Sequence, residues 1–174
     1  MPEPLQKLKV GQTGGTELGI HLTRSQKTEN PARYRLYKNV AIHELDPWGQ
    51  VRPATFLTWI GQAYFEAIRT AGHPVEQMMA QGWYVLQGGH DLQIFTSPRH
   101  YDPLEIVSWI CEMGKVRGAW IHEIRHRKTG ELFARDYSLG IFTDLQGKII
   151  PYPGQIVDEV IHGTNLQNQS EEET

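Results

Sequence analysis

Residues 43–72 read HELDPWGQVRPATFLTWIGQAYFEAIRTAG, a short turn followed by a long stretch with few charges. The proline after Asp46 keeps that residue out of the α-helical region, and Gly49 permits a tight backbone path. Pro53 suits the first turn of a helix. The stretch therefore predicts the end of a strand, a sharp turn, and then a helix over residues 53–71.

The predicted helix is apolar on more than one side. One apolar set recurs at helical spacing, and a second set makes the other side apolar as well. The first set is Phe56, Ile60, Ala63, Tyr64, Ala67 and Ala71, and the second is Leu57, Trp59, Phe65 and Ile68. A helix of this kind is expected to be enclosed by the rest of the fold.

Around this helix the pattern predicts strands. A first strand precedes it, a short helix follows it, and closely spaced strands then run to the end of the apolar region. The predicted ranges are strand 34–42, helix 73–81, strands 83–95, 105–113, 119–127 and 132–143, and a short strand at 149–150. Strands joined by such close turns are antiparallel. The economical packing is an α+β domain in which about five antiparallel strands curl around the helix, the hotdog arrangement.

The chain has 174 residues, about the length of one domain with a proper core. Residues 1–33 and the acidic residues 163–174 lack apolar periodicity, so we expect a flexible arm and a disordered tail around a domain at 34–162.

Seventeen basic and twenty acidic residues give a net charge of -3, without the basic run that a nucleic acid partner requires. No run of about eighteen apolar residues could span a membrane. The single cysteine, Cys111, cannot form an intramolecular disulfide, and no signal-peptide pattern opens the sequence, so we expect a cytoplasmic protein. No pair of His residues has metal-ligand spacing, and neither a metal nor another cofactor is expected.

The residues from Asp46 to Val51, followed by Phe56-Leu57 and Trp59, resemble the signature of hotdog thioesterases of the 4-hydroxybenzoyl-CoA type. That signature places an Asp, two residues and a Gly before a Val, and an aromatic-Leu-x-Trp group at the helix entry. Further similarity extends the resemblance over roughly residues 34–153. The segments 82–86 and 106–109 look like acyl-carrier-protein (ACP) thioesterases of the same fold.

The resemblance implies thioester hydrolysis with Asp46 as nucleophile or general base. The backbone N–H groups around Gly49, Gln50 and Val51 would stabilise the oxyanion. Turn chemistry alone gives Asp46 another interpretation, a side chain that bonds nearby amides. Many members carry a His at the position of Gln50 or Pro53, and others a Glu at that of Gly61, so Asp46 alone matches a catalytic group.

Other candidates are weaker. Those for a substrate pocket are Trp48, Arg52, Phe56, Trp59 and His90, with core packing or solvated charge as the alternative. Those for the phosphates of coenzyme A or of an acyl carrier protein are Arg99, Lys115 and Arg117, with scattered surface charge as the alternative.

The leading hypothesis is hydrolysis of an acyl-CoA. One alternative is hydrolysis of the same thioester bond with ACP in place of coenzyme A as the acyl carrier. Another is a non-catalytic acyl-binding protein. A hydratase or dehydratase is a further alternative, but its chemistry needs a His positioned by a carboxylate, and no His lies in the turn. The resemblance implies a homodimer or homotetramer, for which an exposed sheet edge gives a physical reason.

Overall fold

The computed structural model describes residues 26–163. Most of the predicted arm and nearly all of the predicted tail lie outside the described residues. In chain order the elements are β1 (Gln26–Lys27), β2 (Tyr34–Asn39), a 3₁₀ turn (Ile42–Glu44), α1 (Pro53–Thr70), α2 (Val75–Ala80), β3 (Tyr84–Ile94), β4 (Pro103–Met113), β5 (Arg117–His126), β6 (Leu132–Thr143), β7 (Ile149–Ile150) and α3 (Gly154–His162). No helix in this part of the chain is long and apolar enough to cross a membrane.

All strands belong to one antiparallel sheet. Its long strands follow the order β2-β4-β5-β6-β3, while β1 adds to β4 and β7 adds to β6. The long helix α1 packs across one face of this sheet. This is the hotdog arrangement, and the predicted fold class is confirmed.

One side of α1 forms the core with the sheet. Phe56, Trp59 and Ile60 have no exposed surface. Burial of a large apolar side chain contributes roughly 1.5–3 kcal/mol, so this face fastens the helix to the sheet. The opposite side differs from the expectation, because Leu57 and Phe65 are 38% and 37% exposed. The helix is covered by the sheet on one side and is not enclosed all round.

Three elements were not predicted, namely the 3₁₀ turn, α3 and β1. Helix α3 buries Ile156 and Val160, which lie one turn apart, and ends at Gly163 in the left-handed conformation that suits a helix C-cap. Strand β1 pairs with the end of β4, and the Arg33 guanidinium lies 3.6 Å from the centroid of the Trp109 ring. The described part of the predicted arm thus packs on the sheet.

A close contact sets the distance between helix and sheet. A Cβ atom on Gly140 of β6 would lie 2.6 Å from the hydroxyl of Tyr64, a buried side chain of α1 that stacks edge-on with Trp120. Behind Tyr64, between α1, the sheet and α3, the remaining cavity is about 20 Å³. The interior is therefore packed with almost no spare volume at this end of the helix.

Gly140→Ala is expected to lower the free energy of unfolding by about 1–3 kcal/mol, because the new methyl group overlaps Tyr64. Gly89→Ala is the matched control in the same sheet, since a Cβ there meets nothing within 4 Å. Urea denaturation of both variants measures the difference. Equal midpoints for the two variants would contradict the close contact.

A polar row crosses the same face of the sheet. Nδ1 of His122 lies 2.7 Å from the Ser108 hydroxyl, and Nε2 lies 3.1 Å from the Ser138 hydroxyl. His122 is fully buried, and this burial, followed by the nearby charge of His90, lowers the pKa of His122 to about 3. His122 is consequently neutral at physiological pH.

The buried neutral His122 makes stability depend on pH. Its folded pKa is below the ordinary value of 6.5, so the unfolded chain binds the extra proton first as the pH falls. We expect His122 to account for a loss of about 2 kcal/mol in unfolding free energy between pH 7 and pH 5.

Denaturation at both pH values measures this loss in the unmodified chain and in His122→Gln. The variant is expected to show a smaller pH dependence, whereas His126→Gln, at a partly buried position at the end of β5, retains it. The same pH dependence in His122→Gln and in the unmodified chain would refute the assignment.

Candidate active site

Asp46 lies in a rigid turn between the 3₁₀ turn and α1. Its Oδ1 accepts hydrogen bonds from the N–H groups of Trp48 and Gln50, both at 2.9 Å. The backbone N–H of Asp46 donates to the Gln50 carbonyl at 2.8 Å, and Gly49 has a φ of 76°. Within the described residues Asp46 Oδ2 makes no hydrogen bond, so the turn fixes the carboxylate and leaves one oxygen uncommitted.

The same turn occurs a second time, between β6 and β7. Asp144 Oδ1 accepts from the N–H groups of Gln146 and Lys148 at 3.0 and 2.9 Å, and Gly147 has a φ of 78°. Both turns carry the pattern Asp-x-x-Gly-x. The local conformation of Asp46 is therefore ordinary turn chemistry, and any catalytic role depends on what surrounds the turn.

The three amides expected to bind an oxyanion have acceptors in this conformation. Gly49 N–H donates to the Asp46 carbonyl at 3.0 Å, and Gln50 N–H donates to the Asp46 side chain. Val51 N–H donates to the hydroxyl of Ser97 at 2.9 Å. Ser97, just beyond β3, was not among the sequence candidates, since only the folded chain brings it to the turn.

Glu44 anchors the segment that leads into the turn, a role that the sequence analysis missed. Its carboxylate accepts from Trp59 Nε1 at 2.6 Å and from the backbone N–H of Ala41 at 2.8 Å, and it pairs with Lys38. Burial acts to raise the pKa of Glu44, but these hydrogen bonds outweigh it and lower the pKa. The anchor ties the turn to the buried face of α1.

The pocket candidates lie in different surroundings. Phe56 and Trp59 are fully buried in the core, so they support the helix and do not line an open pocket. Trp48 is 82% exposed beside Asp46 and is free to contact a ligand. Arg52 is exposed, and its guanidinium lies 3.4 Å from the His43 carbonyl.

His90 is held by a residue that the sequence did not single out. Its Nδ1 lies 2.8 Å from Oδ2 of Asp136 on the neighbouring strand β6. The Asp136 side chain is 0% exposed and that of His90 is 24% exposed. A carboxylate only accepts, so His90 donates from Nδ1 and its Nε2 is left as an acceptor. The pair is a His positioned by a carboxylate.

The basic candidates do not form one phosphate site. Arg99 is exposed, two residues beyond Ser97 and thus near the Asp46 turn. Lys115 is exposed beyond the other end of β4, and eleven strand residues place it roughly 35 Å from Arg99. Arg117 is only 8% exposed, so it does not present its charge to solvent as a scattered surface residue would. Of these basic candidates, Arg99 is the one that lies near the Asp46 turn.

Catalysis by a cysteine thiolate or by a metal ion has little support in the described residues. Burial raises the pKa of Cys111 to about 11, which disfavours a thiolate nucleophile. No group of three or more His, Cys, Asp or Glu side chains among residues 26–163 is arranged to hold a metal ion. A groove of about 360 Å³ between β2, α1 and α2 is lined by neither Asp46 nor His90.

No protein-family model matches the sequence, and a comparison with curated proteins finds no match. Solved structures do match. The 1,4-dihydroxy-2-naphthoyl-CoA thioesterase Slr0204 from Synechocystis is 19% identical with a TM-score of 0.68, and the match covers 75% of this chain and 96% of that one.

A putative oleoyl thioesterase from Lactobacillus plantarum is 15% identical with a TM-score of 0.72; the match covers 78% of this chain but only 52%, about half, of the longer protein. The hypothetical protein SAV2348 from Staphylococcus aureus, solved in complex with CoA, is 7% identical with a TM-score of 0.69, covering 78% and 85% of the two chains. At these identities the likeness establishes the hotdog fold, and proteins with this fold include thioesterases.

Proposed function

We propose that this chain hydrolyses the thioester bond of an acyl-CoA, with Asp46 as the residue that attacks the carbonyl carbon or activates a water. The observation that carries the proposal is the position of the Asp46 turn, directly before α1 and docked on Ser97 through the Val51 N–H. The turn holds the carboxylate through Oδ1 and leaves Oδ2 without a hydrogen bond among the described residues. A fold shared with thioesterases supports this assignment.

Two routes are open to such a carboxylate. As nucleophile, Asp46 Oδ2 bonds to the thioester carbonyl carbon, the C–S bond breaks, and water then cleaves the mixed anhydride. As general base, Asp46 takes a proton from the water that attacks the same carbon. Both routes end in a free acid and a thiol.

The oxyanion formed in either route needs a backbone donor. The Val51 N–H is the donor most easily freed for the oxyanion, because its present acceptor is the Ser97 hydroxyl, a group that can rotate away. Gln50 N–H is less free, since its bond to Asp46 Oδ1 maintains the turn. One well-placed donor lowers the barrier by about 3–4 kcal/mol.

Coenzyme A is the favoured carrier. The 1,4-dihydroxy-2-naphthoyl-CoA thioesterase and the CoA-bound SAV2348 share this fold, and the exposed Arg99 near the turn offers a charge for a phosphate. We place the reaction in the cytoplasm, where acyl-CoA substrates are made and used.

A homodimer or homotetramer remains a prediction with a clear physical basis. Strand β3 is the last strand of the sheet path, and its Leu86 and Ile94 are 47% and 40% exposed. Leu57 and Phe65 of α1 add further exposed apolar surface. An unpaired edge of this length invites a second copy.

Thiol release from aromatic, short, medium and long acyl-CoAs tests the function directly. Asp46→Asn is expected to reduce kcat at least 100-fold, because an amide neither attacks nor accepts the proton. Asp144→Asn is the matched control, since it makes the same change in the same type of turn. Asn retains the accepting oxygen of either turn, so both variants should unfold at similar temperatures.

Full turnover in Asp46→Asn would reject the catalytic role of Asp46. Equal losses in both Asn variants would point to a general effect of the turn. If the folded, unmodified chain released no thiol from any acyl-CoA, the hydrolase proposal would be wrong.

Arg99→Ala is expected to raise KM for acyl-CoA several-fold with little change in kcat, because phosphate contacts bind the ground state and the transition state alike. Lys115→Ala, at the far end of β4, should leave both constants unchanged. Steady-state kinetics with one acyl-CoA measure the difference. An unchanged KM in Arg99→Ala would remove Arg99 from the substrate site.

A further inference from the structure

The sheet face that covers α1 carries a second group with acid–base chemistry, away from the Asp46 turn. His90 pairs across the sheet with Ser138, and Asp136 lies diagonally next to it on β6. The 2.8 Å contact between His90 Nδ1 and Asp136 Oδ2 crosses this diagonal. The two residues are 46 positions apart in the sequence, so only the register of β3 and β6 brings them together.

Asp136 is placed where a carboxyl group is costly. Its side chain has no exposed surface, and its other oxygen, Oδ1, is buried without a hydrogen-bond partner. A buried polar atom without a partner costs about 1–3 kcal/mol. A purely structural position on this sheet face would be filled better by an apolar side chain or by a fully bonded one.

His90 is open to a ligand while its ring is held. Its side chain is 24% exposed, whereas that of Asp136 is fully buried. The contact of Nδ1 with Asp136 fixes the ring and leaves Nε2 on the side of the ring away from Asp136.

We infer that His90, positioned by Asp136, is a catalytic proton-transfer residue for thioester hydrolysis. Nε2 takes a proton from water while the water oxygen bonds to the thioester carbonyl carbon. The C–S bond then breaks, and the imidazolium returns the proton to the departing thiolate sulfur. The products are a carboxylic acid and a thiol, and no other reactant is needed.

His122 does not share this role. It is enclosed between Ser108 and Ser138, and its lowered pKa keeps it neutral.

The inference rests on the proposed thioester hydrolysis but not on Asp46. The Asp46 turn is tied to Ser97, and His90 precedes Ser97 by seven residues, an extended span of roughly 20 Å. Substitution of one group therefore leaves the surroundings of the other intact. At that separation the two groups cannot act on the same carbonyl carbon, so His90 and Asp46 are alternative bases, and the two variants decide between them.

The test measures kcat for His90→Ala on the acyl-CoA that the unmodified chain hydrolyses fastest. We expect a loss of at least 100-fold in kcat of the folded variant, whose melting temperature falls because the buried Asp136 Oδ2 loses its partner. Added imidazole should restore turnover in proportion to its concentration, and more basic imidazoles should restore more. His126→Ala, which removes a partly buried imidazole at a hairpin turn, should leave kcat unchanged.

Asp136→Asn tests the positioning role. An Asn amide donates to Nδ1 and moves the ring proton to Nε2, so the base is lost although the ring stays in place. The ¹⁵N shifts of His90 are expected to show an unprotonated Nε2 in the unmodified chain and a protonated Nε2 in the variant. A merely structural Asp136 would leave the tautomer unchanged.

Full activity in His90→Ala would overturn the inference while leaving thioester hydrolysis intact. So would a loss of activity that imidazole does not restore. Absence of turnover in the unmodified chain is a different result, in which the proposed function fails and the inference falls with it. Activity lost in His90→Ala but retained in Asp46→Asn would support His90 and reject Asp46.

Discussion

The burial of one face of α1 against the sheet is the interaction on which the remaining geometry depends. Trp59 is fully buried on that face, and its ring nitrogen also binds Glu44. Glu44 in turn holds the segment before Asp46, so the position of the turn is set by the packing of the helix. Further along the helix, the contact between Tyr64 and Gly140 fixes how closely helix and sheet approach.

The same sheet face is not uniformly apolar. Between the cluster around Phe56 and the cluster around Tyr64 lies a row of polar side chains that includes His122 and Asp136. His122 is fully bonded and is compatible with a stable core. Asp136 has one buried oxygen without a partner, and such local departures from good packing concentrate where a protein has a function.

Much of the fold was predictable because its signals are local. The helix predicted at 53–71 is observed at Pro53–Thr70, and the last long strand is observed at the predicted residues. Apolar periodicity and Gly or Pro turns carry that information within short windows. Helix α3 was missed because only Ile156 and Val160 mark its buried side. Strand β1 was missed because two residues carry no periodicity and depend on their pairing with β4.

The site was predictable only in part, for the same reason. The Asp46 turn is local, and its residues are close in sequence. The hydrogen-bond partners of the site come from distant parts of the sequence. Ser97 accepts from Val51 and Asp136 contacts His90, and each pair is separated by 46 residues. No spacing rule connects them, because the register of the sheet and the docking of the turn decide which residues meet.

The small cavity behind Tyr64 has a consequence for how this fold meets a substrate. At about 20 Å³ it has room for roughly one water molecule, far less than a pocket for a drug-sized ligand. The interior behind Tyr64 is therefore filled by the chain's own side chains. Under the proposed thioester hydrolysis, the acyl group would bind outside this part of the core, along the surface or in a groove such as that of about 360 Å³ between β2, α1 and α2. Selectivity for acyl length would then depend on side chains at the surface and not on the depth of the core.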